Sequence, residues 1–237
     1  MGDRAQCRIR ARSEEGVLME KPELSQYIDH TLLKADATPR DIERIVAEGK
    51  MWGVAAVCIN SGYVRLARQI VGNDRLRVVG TVGFPLGQMS FRAKLSEASI
   101  AIEEGAHELD VVWNLGRFLA GDFSMVQNEI KAIAKICGET KTLLKVILET
   151  AVLSREQIKI GTQLVVDTGA NMVKTSTGFG FGGATEMAVQ TMRKTAPKSV
   201  GIKAAGGIRT KEVAEKYILL GATRLGTSST RQILGNL

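Results

Sequence analysis

The amino-acid sequence predicts an α/β protein: a (β/α)8 TIM barrel that forms a single domain, preceded by a short basic N-terminal extension. Helix-like and strand-like segments alternate regularly, and the right-handed crossover rule converts such alternation into a parallel sheet. Eight strand candidates can be counted, and no linker rich in proline or serine divides them. Eight βα units in about 210 residues fit a closed barrel. We assign the barrel domain to 21–237 and the extension to 1–20.

The predicted strands are short and rich in Val, Ile or Leu. They lack clean alternation of apolar and polar residues, as expected for strands that are covered on both faces. In chain order they span 27–31, 54–60, 77–84, 108–114, 142–150, 172–177, 200–206 and 224–228. An open doubly wound sheet is the alternative, but neither a G-x-G-x-x-G after the first strand nor a P-loop is present.

Helix starts and ends separate these strands. Thr38 followed by Pro39 is typical of an N-cap with proline at the first helical position. Ser154 and Gln157 have the spacing of a capping box. Glycine fits the left-handed turn that ends many helices, and it precedes the next strand repeatedly. These predicted helix exits are Gly53-Val54, Gly105-Ala106, Gly169-Ala170 and Gly221-Ala222.

Composition excludes several classes of protein. The 237 residues are 44% hydrophobic and 24% charged with only four prolines, which argues against disorder and fibrous repeats. No apolar run approaches the roughly 18 residues of a membrane span, so we expect no membrane partner and a cytoplasmic protein. Cys7, Cys58 and Cys137 form no C-x-x-C pair, and His30 and His107 lie in unrelated contexts. We therefore expect neither a metal nor another cofactor.

The net charge of +7 raises the possibility of a nucleic-acid partner. The basic residues of the first segment are largely balanced within 1–21, and the rest are spread along the chain without an RNP, zinc-finger or basic-zipper pattern. Only 5% of residues are aromatic, which leaves little for base stacking. We expect no nucleic-acid partner. The first segment is expected to be a mobile tail, with a polyanion-binding arm as the alternative. A positive net charge also suits an enzyme whose substrate carries phosphate.

Three lysines stand inside strands that should be buried, where lysine is rare without a reason. Lys145, Lys174 and Lys203 follow one another at intervals of 29 residues, one βα unit each. Equal spacing predicts equal levels on three neighbouring strands, with Asp110 on the preceding strand close enough to join them. Any one lysine could form an interior salt bridge, but three in register favour a reactive site.

The chemistry that needs a buried amine is Schiff-base formation, in which a neutral lysine attacks a carbonyl. A second ammonium about 5 Å away opposes protonation by roughly 3 kcal/mol at an effective dielectric near 20. A pair of lysines can thus keep one amine neutral, although spacing alone does not say which one. Glycines and hydroxyls at 176–180, 206–207 and 226–229 predict a phosphate site after the last strands, where barrels commonly bind phosphate, with a short helix after Thr227.

Five segments resemble the signature segments of deoxyribose-phosphate aldolases: YIDHTLLK at 27–34, VGFPLG at 82–87, ELDVVWN at 108–114, VKTSTGF at 173–179 and KAAGGIR at 203–209. The resemblance implies a class I aldolase on a (β/α)8 barrel. It would reversibly cleave 2-deoxy-D-ribose 5-phosphate to D-glyceraldehyde 3-phosphate and acetaldehyde without a metal, as a homodimer or higher homo-oligomer. Another phosphosugar barrel, such as an isomerase or epimerase, is the alternative.

The resemblance also assigns residues. Lys174 would form the Schiff base, with Lys203 favouring its neutral form and Asp110 and Lys203 handling protons through a water. The residue pattern itself predicts that Asp29 and Thr31 line the pocket, with Asp29 as a structural anchor the equal alternative. The full set of predicted substrate-binding and phosphate-binding residues is Asp29, Thr31, Lys145, Gly178, Gly206, Gly207, Gly226, Ser228 and Ser229. One departure is Ala205, where many members have serine; it removes a hydroxyl but leaves the backbone amides.

Overall fold

The computed structural model describes residues 24–235, so the predicted extension at 1–20 and Cys7 lie outside the described residues. Eight parallel strands close into a barrel in the order β1 to β8, with β8 paired to β1. The predicted barrel is therefore confirmed. Within the described range, no helix combines the length and the apolar composition that crossing a membrane requires.

All eight predicted strands are present, but most are shorter than predicted. They are β1 Ile28–Leu32, β2 Ala56–Asn60, β3 Arg77–Val82, β4 Glu108–Val112, β5 Leu143–Ile147, β6 Met172–Lys174, β7 Gly201–Ala205 and β8 Arg224–Thr227. The largest difference is at β5 and β6: the predicted end of β5 at 150 is the first residue of a 3-10 helix, Thr150–Val152, and the predicted end of β6 at 177 lies in a loop. Buried residues such as Leu148 and Thr175 continue past the last strand pairing, because the loops at the barrel mouth are themselves packed.

The helices cover the outside of the barrel. They are α1 Pro39–Trp52, α2 Val64–Val71, α3 Phe91–Glu103, α4 Leu115–Leu119, α5 Phe123–Thr140, α6 Arg155–Val166, α7 Glu186–Thr195, α8 Lys211–Leu219 and α9 Thr230–Leu234. Both predicted capping residues are confirmed, since Thr38 and Ser154 each form a capping box. All four predicted glycine exits have positive φ.

The two sides of the barrel wall are filled differently. The large apolar cluster lies between strands and helices and includes Ile133, Val146 and Leu164. A separate small cluster of Leu33, Ala56, Cys58 and Val79 packs against Phe84. Much of the remaining interior holds buried charged side chains, such as Asp29, Asp110 and Lys203.

The strand register corrects one prediction. Lys174 pairs directly with Lys203, as predicted, but Lys145 pairs with Met172 and thus lies two residues below Lys174. Equal sequence spacing did not give equal height, because the connections between strands differ in length and the strands of a barrel are staggered. Lys145 instead stands level with Asp110 on β4.

Candidate active site

A cavity of about 290 Å³ opens at the carboxyl ends of the strands. Of the predicted binding residues, Thr31, Gly178, Gly206, Gly207, Gly226, Ser228 and Ser229 line it, together with Lys174. Thr31, Lys174 and Gly226 lie within β1, β6 and β8, and the other residues lie in the loops after β6, β7 and β8. The carboxyl ends of these strands therefore meet around one space.

Asp110 lies at the centre of the charged cluster below the cavity. Its Oδ2 accepts hydrogen bonds from Lys174 Nζ and Lys203 Nζ, each at 2.7 Å. Its Oδ1 accepts from Lys145 Nζ at 2.9 Å. Burial opposes ionisation, but the lysines outweigh it and hold the pKa of Asp110 well below its ordinary value. One carboxylate therefore gathers all three lysines, and the two upper nitrogens lie no farther apart than twice that bond length.

Lys203 is fully buried between two carboxylates, Asp29 and Asp110. Burial favours the neutral amine, but these anions outweigh burial and raise the pKa of Lys203 above its ordinary value. Asp29 in turn accepts from Arg224 at 2.5 Å. Burial opposes its ionisation as well, yet Arg224 and the lysines lower the pKa of Asp29. Lys203 is thus protonated beside Lys174 at neutral pH.

The cluster continues toward the opposite end of the barrel. Glu108 contacts Lys145 at 2.6 Å and Arg224 at 3.1 Å, and it also bonds the half-exposed Arg77 at 3.0 Å. Burial opposes its charge, but Lys145 and Arg224 lower the pKa of Glu108. Glu108 and Arg224 were not predicted as site residues, because a charge at the first residue of a strand is common.

Two predicted binding residues are placed elsewhere. Asp29 and Lys145 are fully buried and do not line the cavity. Both lie inside the ion-pair cluster, where each contacts groups of opposite charge. Their expected place in the pocket wall is therefore corrected: Asp29 contacts Lys203 and Arg224, as a structural anchor would, and Lys145 contacts Asp110.

The buried cluster is not electrically balanced. Its cations are Lys145, Lys174, Lys203 and Arg224, and its anions are Asp29, Glu108 and Asp110. One positive charge is in excess among these buried groups. Lys174 contacts a single carboxylate, whereas Lys203 contacts two. Release of one proton from the cluster leaves it neutral.

Cys58 is the other group next to Asp110. Its Sγ lies 3.9 Å from Asp110 Oδ2, and burial raises the pKa of this thiol to about 11, so it is protonated at neutral pH. Among residues 24–235, no group of three or more His, Cys, Asp or Glu side chains is arranged to hold a metal ion.

Two glycines in the cavity wall have structural reasons to be glycine. Gly206 has φ 88°, and a Cβ there would lie 2.8 Å from Gly183 Cα. At Gly226 a Cβ would lie 3.1 Å from Lys203 Cε. Absence of a side chain at these positions lets two loops touch and leaves space for the buried lysine.

The loop after β6 is held by Glu149, a residue that no sequence pattern pointed to. Glu149 Oε2 accepts from Thr177 N at 3.2 Å and from Thr177 Oγ1 at 2.5 Å. Thr177 Oγ1 accepts in turn from Phe179 N at 3.1 Å. Glu149 has φ 57°, an unusual conformation for a residue with a side chain, and its bonds to Thr177 connect it to a loop that lines the cavity.

Two cations on the cavity wall also escaped the residue-by-residue prediction. Lys34 and Arg209 both line the cavity, within loops that follow β1 and β7. Both lie in the recognised segments, but charged residues in loops are common and gave no separate signal. Because they line the same cavity as the glycine-rich loops, they bring positive charge to it, which suits an anionic group.

Known proteins resemble the chain over nearly all of the described range. A family model described as DeoC/LacD family aldolase matches residues 24–234. A deoxyribose-phosphate aldolase of Mycoplasmopsis pulmonis is 42% identical over 214 residues, which cover 90% of this chain and 96% of that protein. One of Treponema denticola is 44% identical over 207 residues, covering 87% of this chain and 96% of that protein.

Solved structures agree. A structure from Coccidioides immitis, described as a deoxyribose-phosphate aldolase, has a TM-score of 0.87 at 37% identity. The match covers 91% of this chain and 86% of the Coccidioides immitis chain. A deoxyribose phosphate aldolase from Aeropyrum pernix, described as having a unique tetrameric structure, has a TM-score of 0.83 at 32% identity, and 91% of each chain is covered. Given the matched range and these identities, the chain belongs to the DeoC/LacD family of aldolases.

Proposed function

We propose that this protein is a class I aldolase that reversibly cleaves 2-deoxy-D-ribose 5-phosphate to D-glyceraldehyde 3-phosphate and acetaldehyde. The single observation that carries the proposal is the placement of Lys174, which contacts Asp110 in the buried cluster and also lines the cavity. A carbonyl compound that enters the cavity meets this amine, whereas Lys203 and Lys145 are fully buried below it.

In this mechanism, the neutral amine of Lys174 attacks the aldehyde carbon of the open-chain sugar phosphate, and water leaves to give an iminium. The excess positive charge of the cluster supports this step, because loss of one proton from it makes the cluster neutral. Lys203 stays charged between Asp29 and Asp110, so Lys174 is the amine available for attack.

The bond cleavage needs a base and an electron sink. A group in the Asp110 and Lys203 network accepts the proton of the 3-hydroxyl through a water, the C2–C3 bond breaks, and glyceraldehyde 3-phosphate leaves. The iminium takes up the electron pair and becomes an enamine. Protonation of the enamine carbon and addition of the water equivalent released earlier then yield acetaldehyde and free Lys174.

The substrate phosphate would bind at the upper wall. Gly178, Gly206, Gly207, Gly226, Ser228 and Ser229 line the cavity there with Lys34 and Arg209. Backbone amides at glycine approach an anion closely, and two cations add charge. The relatives named as deoxyribose-phosphate aldolases support this choice of substrate.

Borohydride trapping tests the covalent step. Acetaldehyde plus borohydride should leave a reduced adduct on Lys174 in the wild type, located by peptide mass spectrometry, and no adduct at that position in Lys174→Ala. Turnover of 2-deoxyribose 5-phosphate should persist with a chelator present and be lost in Lys174→Ala and Lys203→Leu. An active protein without the adduct would defeat the proposal, and loss of turnover upon chelation would defeat its metal-free form.

We further propose that the chain forms a homo-oligomer. The Aeropyrum pernix relative is described as tetrameric. Large apolar side chains are exposed here, including Phe181 at 91% and Leu219 at 81%, and such residues often mark subunit contacts. Light scattering coupled to size-exclusion chromatography measures the mass in solution, and a monomer mass would contradict this.

A further inference from the structure

The turn that carries Ser228 and Ser229 is attached at both ends to one residue of β1. At its start, Thr227 pairs with His30 across the β1 and β8 strands. At its end, Thr230 Oγ1 lies 2.9 Å from His30 Nδ1. The two serines that line the cavity are therefore enclosed between two contacts to the same residue.

The direction of the second contact follows from the other ring nitrogen. His30 Nε2 lies 2.9 Å from Glu48 Oε2, and a carboxylate can only accept, so Nε2 carries the hydrogen. Burial lowers the pKa of His30, and Glu48 offsets this only in part, so the ring is neutral at neutral pH. Its Nδ1 is then an acceptor, and the hydroxyl of Thr230 donates to it.

The ring is held in place by α1. Besides the contact with Glu48, its centroid lies 5.1 Å from that of Trp52. His30 is 6% exposed and Thr230 is fully buried, so water does not compete with their hydrogen bond. The ring therefore presents a fixed acceptor to the first residue of α9.

We propose that His30 is a positioning residue that sets the affinity of the cavity for phosphate through its bond to Thr230. The consequence is a preference for phosphorylated over unphosphorylated sugars. This inference rests on the proposed function, because it takes the wall at Ser228 and Ser229 as the phosphate site. His30 itself does not line the cavity, and it acts only by fixing the turn.

The test removes the hydroxyl without changing shape. Thr230→Val should raise KM for 2-deoxyribose 5-phosphate about 10-fold with kcat changed less than about twofold. The reason is that phosphate binding is weakened equally in the ground state and in the transition state. Turnover of unphosphorylated 2-deoxyribose should stay within about twofold of the wild type. Thr230→Ser, which keeps the hydroxyl, should restore KM. A parallel loss on both sugars indicates a merely structural role and overturns the inference.

Calorimetric titration with inorganic phosphate separates this inference from the chemistry of the lysines. Phosphate should bind the wild type and Thr230→Ser, and bind Thr230→Val about 10-fold more weakly. If the wild type binds phosphate but does not cleave the sugar, the proposed function fails while this inference stands. Equal phosphate binding by all three proteins, or no phosphate binding by the wild type, overturns the inference about His30 and Thr230.

A second pair of variants covers the case in which Thr230→Val does not fold. In His30→Asn the amide oxygen takes the place of Nδ1 and can accept from Thr230, whereas His30→Gln places its amide toward Glu48 and leaves Thr230 without that acceptor. Phosphate binding should be weakened more in His30→Gln. The reverse order, or equal weakening, would overturn the role of the Thr230 bond.

Discussion

The inside and the outside of the barrel wall are built from opposite chemistries, although the same eight strands supply both. Outward-facing residues such as Val146 join an apolar layer under the helices. Their neighbour Lys145 faces inward and forms three ion pairs. Alternation along a strand thus separates the two kinds of residue by a single position.

The difference teaches where stability and chemistry reside. Apolar packing outside is non-directional and contributes roughly in proportion to the area buried. The ion pairs inside stabilise little relative to an apolar filling, but removing one member leaves a buried charge without a partner. We therefore expect substitutions outside to change stability alone and substitutions inside to change activity as well.

The largest effect should come from Asp110→Ala. It leaves three buried lysines without their shared carboxylate, so turnover should fall about 10³-fold and the free energy of unfolding by about 3–5 kcal/mol. Steady-state kinetics and urea titration measure the two effects. Asp110→Asn, which keeps the volume, is the control. Normal turnover in either variant would break the proposed contrast between inside and outside.

Ile133→Ala tests the outer layer. Ile133 is fully buried on α5, and its truncation should reduce the free energy of unfolding by about 3 kcal/mol through lost transfer energy and a cavity. KM and kcat should remain within about twofold, since no charged group moves. The matched control is Ile160→Ala on α6, which is 38% exposed and should change stability by less than about 0.5 kcal/mol. An activity loss in Ile133→Ala without unfolding would contradict the assignment of stability to the outer layer and of catalysis to the interior.

Acid should weaken the interior specifically. The pKa of Asp29 is lowered in the folded state, so the unfolded chain binds the proton first. The stabilisation is complete above pH of about 4 and is lost as pH falls below it. In urea titrations between pH 6 and pH 2.5, Asp29→Asn should lose about 2 kcal/mol less than the wild type. Identical pH slopes would show that Asp29 does not contribute to acid sensitivity.

The smallest effect is expected at the solvent-facing end of a helix. Thr38→Ala removes the capping box of α1, so the free energy of unfolding should fall by about 1 kcal/mol with no change in turnover. Thr38→Ser retains the capping oxygen and should behave like the wild type. A stability loss as large as that of Ile133→Ala would show that caps and core contribute equally here.

The sequence predicts much of the fold because its local signals agree with one another. Eight apolar strands, the caps at Thr38 and Ser154 and the glycine exits all point to the same barrel. Strand ends were less predictable, since residues 148–150 and 175–177 are buried by neighbouring loops after pairing stops. The height of Lys145 could not be read from spacing, because register depends on the stagger of the closed sheet.

The site was predictable where a residue conflicts with its surroundings. Lysine within Leu-Leu-Lys-Val or Met-Val-Lys-Thr stands out, and so does Asp110 between apolar neighbours. Lys34 and Arg209 lie in polar loops, where a charged residue is ordinary and gives no signal. Their position at the cavity depends on how strands distant in sequence meet when the barrel closes. His30 gave no pattern either, since its partners Glu48 and Thr230 lie 18 and 200 residues away.

Closure of the sheet has a consequence for how the chain reaches its native state. Until β8 is available, β1 has one unpaired edge, because its second neighbour is the last strand of the chain. Such an edge is open to pairing with other molecules. Asp29 and Arg224 are 195 residues apart in the chain, so during synthesis from the N-terminus their bond can form only after the whole segment between them has been translated. The charged interior can therefore be completed only after β8 has been synthesised.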